Sequence, residues 1–308
     1  MNKLLLLAAS AAIAFLASAK HALTEETPEV SERASPAMWR IVDNDTEIFL
    51  IGSFPVLPEG ASWRTPAFDA ALAKSRIVYF DADGDSPDAR SKAIGIMMTD
   101  GFNPPGTALD SMLAADDLER LRSVAQEVGL PFAGINALKP WRAALSLSVQ
   151  YLVRRGFDPG AGFEKALLNE AKTLGKEIRY LNTIEDQFSL FTELGEEQEK
   201  DFLIITLRDW RQRTDRFDET FRAWQAGDTA FVDDTMNAPM RNNAPSVYER
   251  LTVQRNQDWV NDINSILETE KGAVIVVAGI AQLTGPDSIP SMLKEKGNAV
   301  SRYGSDER

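Results

Sequence analysis

The chain contains no cysteine. Disulfides, thiolate nucleophiles and every cysteine-ligated metal centre are therefore excluded. Histidine is nearly absent too, His21 being the only one. It follows closely on an N-terminal stretch that reads as a cleavable leader, so the folded part of the chain has no imidazole for acid–base work or zinc ligation. Beyond that leader there is no long hydrophobic run. Ala273 to Ile280 is the most apolar stretch, with the length of a buried strand rather than the about 20 residues of a spanning helix. Positive charge is scarce: 33 Lys and Arg face 46 Asp and Glu, a net charge of −13. That balance argues against nucleic acid or an anionic membrane as a partner. No phosphate-binding glycine loop, serine-nucleophile elbow or heptad run occurs.

The leader itself is well formed. Asn2 and Lys3 open it, Leu4 to Leu16 is apolar apart from Ser10, and Ala17-Ser18-Ala19 supplies a small-x-small cleavage site. Residues 1–19 are expected to be a signal peptide and Lys20 the first mature residue, which makes the protein periplasmic or secreted. Loss of Lys3 takes the net charge from −13 to −14. Residues 20–36 are polar and lack apolar periodicity, as in a flexible lead-in. A single folded domain is expected over 37–304.

Within it, Met38–Val42 and Glu47–Ile51 flank Asp43-Asn44-Asp45, a hairpin signal. Thr65-Pro66 reads as an N-cap and first helical residue, opening a helix to about Lys74. Ile77–Phe80 is a strand that runs into Asp81-Ala82-Asp83-Gly84-Asp85. Helices are predicted at Leu113–Val128, Trp141–Arg154 and Gly162–Leu174, with Gly129 and Gly175 as stops. Glu177–Leu181 is a strand, and Thr183 with Asp186 a capping box. Long helices are predicted at Glu196–Trp224 and Ser246–Leu267, with a shorter one at Asp228–Met236. Ala273–Gly279 is a buried strand, Ser288–Lys296 a helix and Ala299–Tyr303 a closing strand. The fold class is α/β: one domain whose mixed sheet comes from the N- and C-terminal parts around a large helical middle.

Two strands share an ending. Ile48-Phe49-Leu50-Ile51-Gly52-Ser53-Phe54-Pro55 and Val274–Gln282 each reach a glycine, Gly52 or Gly279, and then a third residue on, Pro55 or Gln282. A glycine there is expected to let the backbone turn tightly over the sheet edge, where α/β proteins commonly bind ligands. The motifs Gly52-Ser53-Phe54-Pro55-Val56-Leu57-Pro58, Trp63-Arg64-Thr65-Pro66, Asp69-Ala70-Ala71-Leu72, Pro140-Trp141, Gly162-Phe163-Glu164, Leu181-Asn182-Thr183 with Glu185 and Gln187, Arg255-Asn256 and Gly279-Ile280-Ala281-Gln282-Leu283 follow one another from Trp39 to about Arg302. In that order they resemble the TraB/GumN family, part of the Tiki-like and erythromycin-esterase-like group.

The resemblance implies metal-binding and catalytic positions: a Gly-x-x-His after the second strand, a Glu ending the third, a Glu in a Leu-Glu-Thr segment and a second Gly-x-x-His. Here these fall on Pro55, Asp81, Asn182 and Gln282. Proline offers a metal no side-chain donor, and the two amides are poor neutral ligands for zinc or manganese. Only Asp81 keeps a charge. No cofactor and no metal are therefore expected, Asp81 is the one catalytic candidate, and Gly52, Pro55, Asp81, Asn182, Gly279 and Gln282 should line a binding cleft. Asp81-x-Asp83-x-Asp85 fails as an EF-hand loop, with Ser86 and Lys92 where Gly and Glu belong, and reads better as a strand exit capping the helix at Ser86-Pro87. The expected role is non-catalytic binding of a peptide, polymer or protein partner. The alternatives are a divergent hydrolase built on Asp81 and neighbouring acids, or a structural subunit of the cell envelope.

Overall fold

The computed structural model describes residues 34–304 apart from 55, 58–60, 158–161 and 209, and omits the side chains of 212–215. The leader, most of the lead-in and Pro55 thus lie outside the described residues. Within them, Ser35 N–H donates to Gln225 O at 2.6 Å, and Ala37 is already buried.

Six strands form one mixed sheet: β1 Met38–Val42, β2 Thr46–Ser53, β3 Ile77–Ala82, β4 Glu177–Asn182, β5 Gly272–Gly279 and β6 Ala299–Tyr303. Their order across the sheet is β4-β3-β5-β2-β1-β6. β4, β3, β5 and β2 are mutually parallel, while β1 is antiparallel to both β2 and β6. The α/β single-domain expectation is met. The reason is visible in β5, whose unbroken Ala273–Ala278 run is buried throughout, as a central parallel strand requires. The β1–β2 hairpin turns on Asp43, whose Oδ1 accepts from Thr46 N at 2.8 Å and Asp45 N at 3.1 Å. It is a side-chain-made turn.

The helix caps follow the sequence closely. Thr65 accepts from Phe68 N to open Pro66–Lys74, Ser86 from Ala89 N to open Pro87–Thr99, and Ser288 from Ser291 N to open Ile289–Glu295. Thr183 and Asp186 form the reciprocal capping box of Ile184–Thr192. Gly129 and Gly175 sit at φ +74° and +67° beyond their helices, where a side chain would be strained. The helical middle is centred on Pro140–Arg154, buried along most of its length and packed against Glu196–Arg208. Trp141, Trp210, Trp224 and Trp259 are core residues, as is Trp39; Trp63 is half-buried and packs edge-on to Phe68 and Phe163.

Two predicted helices need correction. The first begins at Ala115, after a separate turn at Leu109–Met112. The helix expected over Glu196–Trp224 is described as Glu196–Arg208 and Trp210–Ala226, residue 209 lying outside the described residues. The stretch predicted as one helix from Ser246 is Pro245–Tyr248, a π-helical turn at Glu249–Gln254 and an α-helix at Arg255–Thr269. A π turn widens the helix by one residue per hydrogen-bonded loop, and apolar spacing does not distinguish it from α.

Candidate functional site

Because β2, β3, β4 and β5 are parallel, their carboxyl ends emerge along one sheet edge: Ser53, Ala82, Asn182 and Gly279. Asp81 is the penultimate residue of β3 and is 7 % exposed. Asn182 ends the neighbouring strand, and its Nδ2 donates to Asp81 Oδ1 at 2.9 Å. The other oxygen, Oδ2, is ion-paired with Arg255 Nη2; the two side chains are 10 % and 11 % exposed. Arg255 is the first residue of the helix after the π turn, so that turn sets the register that brings the guanidinium to Asp81.

A second carboxyl lies nearby. Glu164, the second residue of helix Phe163–Thr173, accepts from Ser53 Oγ at 2.7 Å. Burial pushes its carboxyl up to about 7; the Ser53 hydrogen bond pulls down, the Asp81 charge pushes further up, and Arg255 offsets part of this. Ser53 is itself 1 % exposed and also reaches Ala278 O at 3.3 Å. Behind it an aromatic cluster excludes water: Phe54 packs on Phe217, Phe221 and Trp224 with ring centroids 5.4–5.7 Å apart.

The glycines act otherwise than expected. Neither Gly52 nor Gly279 has a positive φ, and both remain paired in their strands. Gly52 is instead a point of close approach, where a Cβ would overlap Ile280 Cδ1. Its carbonyl accepts from Trp224 Nε1 at 2.9 Å. Gln282 lies in the 3-10 turn Ile280–Leu283 just beyond β5; its Oε1 accepts from Gly279 N at 3.2 Å, and Asn256 Nδ2 donates to its backbone carbonyl at 3.3 Å. Gln282 Nε2 and Asn256 Oδ1 are buried without a partner among the described residues. The structure therefore joins Asp81 directly to Asn182, and ties Gln282 to the same helix start through Asn256, the residue after Arg255.

The acidic exit divides its work. Asp83 Oδ1 accepts from Asp85 N at 2.9 Å and Ser86 N at 3.1 Å, while Asp85 pairs with Lys165 and, at 3.7 Å, with Arg90. Turn formation accounts for the Asp83 side chain and ion pairing for that of Asp85.

The divalent metal that the family resemblance implies does not suit these residues. Among the described residues no three of His, Cys, Asp or Glu come together as a ligand set. Asp81 is the only anionic donor among the described ligand positions, and the guanidinium on it opposes a second cation. Sequence reasoning missed Ser53, Glu164 and Arg255 as members of this cluster. Each stood in a motif that carries the resemblance, but no local pattern marks a residue whose partners lie over 100 positions away.

A six-stranded mixed α/β sheet with its polar cluster at the parallel carboxyl ends defines the class, and the sequence profile of the TraB/PrgY/gumN family matches residues 37–302. The chain belongs to that family. It is similar to the uncharacterized protein YbaP of Escherichia coli (strain K12), and equally to that of Shigella flexneri: 24 % identical over 201 residues, covering 62 % of this chain and 70 % of each relative. No solved structure matches it significantly.

Proposed function

We propose that this protein is an exported member of its family that binds a peptide, polymer or protein partner without turning it over, through the cleft at the carboxyl ends of β2 to β5. The observation that carries this reading is the engagement of Asp81: Arg255 holds one oxygen and Asn182 the other. A carboxylate so occupied is a poor general base and a poor lone metal ligand. The test is gain of function. The quadruple variant Pro55→His, Asp81→Glu, Asn182→Glu, Gln282→His should acquire a manganese- or zinc-dependent rise in melting temperature that the parent lacks. A metal-dependent shift in the parent, abolished by Asp81→Ala, contradicts the reading. Export predicts a mature N-terminus at Lys20 by mass spectrometry, and intact Met1 on stable exported protein contradicts it.

A second reading is favoured by one specific observation. Glu164, with its proton affinity raised to near neutrality and Ser53 on its oxygen, has the properties of a general acid or base in a divergent hydrolase. Hydrolytic turnover lost on Glu164→Gln and retained on Asp81→Asn would select it over the binding role.

A further inference from the structure

The helix that begins at Arg255 has a polar inner face. Thr252, Asn256 and Trp259 stand at i, i+4 and i+7 across the π turn and the start of Arg255–Thr269, a spacing that puts all three on one side. Each is at most 1 % exposed. Thr252 Oγ1, Asn256 Oδ1 and Trp259 Nε1 have no hydrogen-bond partner among the described residues. Gln282, buried in the turn Ile280–Leu283, adds an unpartnered Nε2. Its backbone carbonyl accepts from Asn256 Nδ2 at 3.3 Å, so the turn lies against this face of the helix.

The orientation of the amides is settled by chemistry. A backbone carbonyl only accepts, so Asn256 must direct Nδ2 at Gln282 O and at Asp287 O, the latter 2.7 Å away. Gln282 must direct Oε1 at Gly279 N–H, at 3.2 Å. Asn256 is left with an acceptor and Gln282 with a donor. Asn237, just past helix Thr229–Met236, repeats the pattern on the same turn. Its Nδ2 donates to Ala281 O and Thr284 O at 2.8 and 3.1 Å, and its buried Oδ1 has no partner among the described residues.

Two acceptors, two donors and a hydroxyl that is both thus surround one turn. A buried polar group without a partner forfeits its hydration, and a fold of ordinary stability does not carry five such losses in one place. The mixture decides what satisfies them. A cation would meet the N–H groups of Gln282 and Trp259, and an anion would meet the oxygens of Asn237 and Asn256. These atoms are closed to solvent, so the occupant is small, neutral and able both to donate and to accept.

We infer that ordered water molecules occupy a seam between the Ile280–Leu283 turn and the inner face of this helix, accepting from Gln282 and Trp259 and donating to Asn256 and Asn237. They join the end of β5 to the helix start that presents Arg255 to Asp81. The inference is independent of any ligand in the cleft.

The experiment pairs a high-resolution crystal structure of the purified protein with urea denaturation of Thr252→Val. That substitution replaces a hydroxyl by a methyl group of similar size, and the two residues have similar helix propensities. Density in the parent should show water about 2.7–3.2 Å from Gln282 Nε2 and from Asn256 Oδ1. Thr252→Val should raise the unfolding equilibrium constant about five-fold, because a water loses one of its partners. In a dry seam the same change removes a stranded hydroxyl and lowers that constant, so the sign of the urea result decides even without crystals. Three results overturn the inference: an unchanged or lowered constant, a seam without water, or Gln282 Nε2 bonded directly to Asn256 Oδ1.

Discussion

The two ends of the parallel strands handle charge in opposite ways. At the amino ends, Glu270 lies between Arg76 and Arg179, and Glu47 between Arg40 and Lys74; the basic partners are 39–59 % exposed. At the carboxyl ends, Asp81 and Arg255 are both about nine-tenths buried, and Glu164 avoids carrying a full charge by holding its proton to about 7. In pairs of the first kind the carboxylates are 11–12 % exposed but the cations are open to water, so solvent screens them and the long side chains lose freedom in making them. Buried groups of the second kind cost desolvation and are destructive when half-removed. A buried pair of this kind is a weak source of stability for the sheet edge that holds it. The carboxyl end is where this chain keeps polar chemistry at the expense of easy packing.

The comparison is broken most sharply at Arg255. Arg255→Met leaves Asp81 buried without its partner and should cost about 3–5 kcal/mol in urea denaturation, with Asp81→Asn on the same background restoring most of it. An equal cost in the double variant would mean that packing, not the ion pair, is what Arg255 supplies. Gly52→Ala comes next. Its new methyl group must displace Ile280, for about 1–3 kcal/mol, and Ile280→Val should recover part of this by removing the colliding carbon.

Glu164 gives a pH signature rather than a simple loss. Its folded value, about 7, lies above the ordinary 4.5, so between these the native state holds a proton that the unfolded chain has released. Stability should therefore be highest below about pH 4.5 as far as this group is concerned, fall as pH rises toward 7, and level off above. Glu199, pushed up to about 7 by burial, acts in the same window. Thermal melts of Glu164→Gln should show a shallower fall than the parent between pH 5 and pH 8, whereas a parallel curve would place the proton elsewhere. The smallest effect is expected at the amino rim: Arg76→Ala should change stability by less than about 1 kcal/mol, and less still at high salt. A loss comparable to that of Arg255→Met would erase the contrast between the two ends.

Much of the fold could be read from the chain because local chemistry decides it. Thr65-Pro66, Ser86-Pro87 and Thr183-x-x-Asp186 announce helix starts through side chains that bond their own backbone, and the apolar Ala273–Ala278 run announces a central strand. The π turn at Glu249–Gln254 was hidden, since it preserves the apolar face while shifting register. That shift matters because it places Arg255. The site was legible only in part. Asp81 and Asn182 follow from the resemblance, and the structure bonds them to each other. Glu164 and Ser53 meet across 111 positions, and Arg255 reaches Asp81 across 174, so their roles arise only from the folded sheet edge. Gly52 was recognised for the wrong reason: the strand needs its missing side chain for close approach to Ile280, not for a left-handed turn.

Elemental analysis of the purified protein tests the central claim most directly, because a cleft whose one anionic ligand position is locked to an arginine should hold no metal. Protein dialysed against manganese or zinc and then against a chelator should retain far less than one equivalent of either. One equivalent kept through chelation, and lost on Asp81→Ala, would show that Asp81 serves a working metal centre and that the binding role proposed for the cleft is wrong.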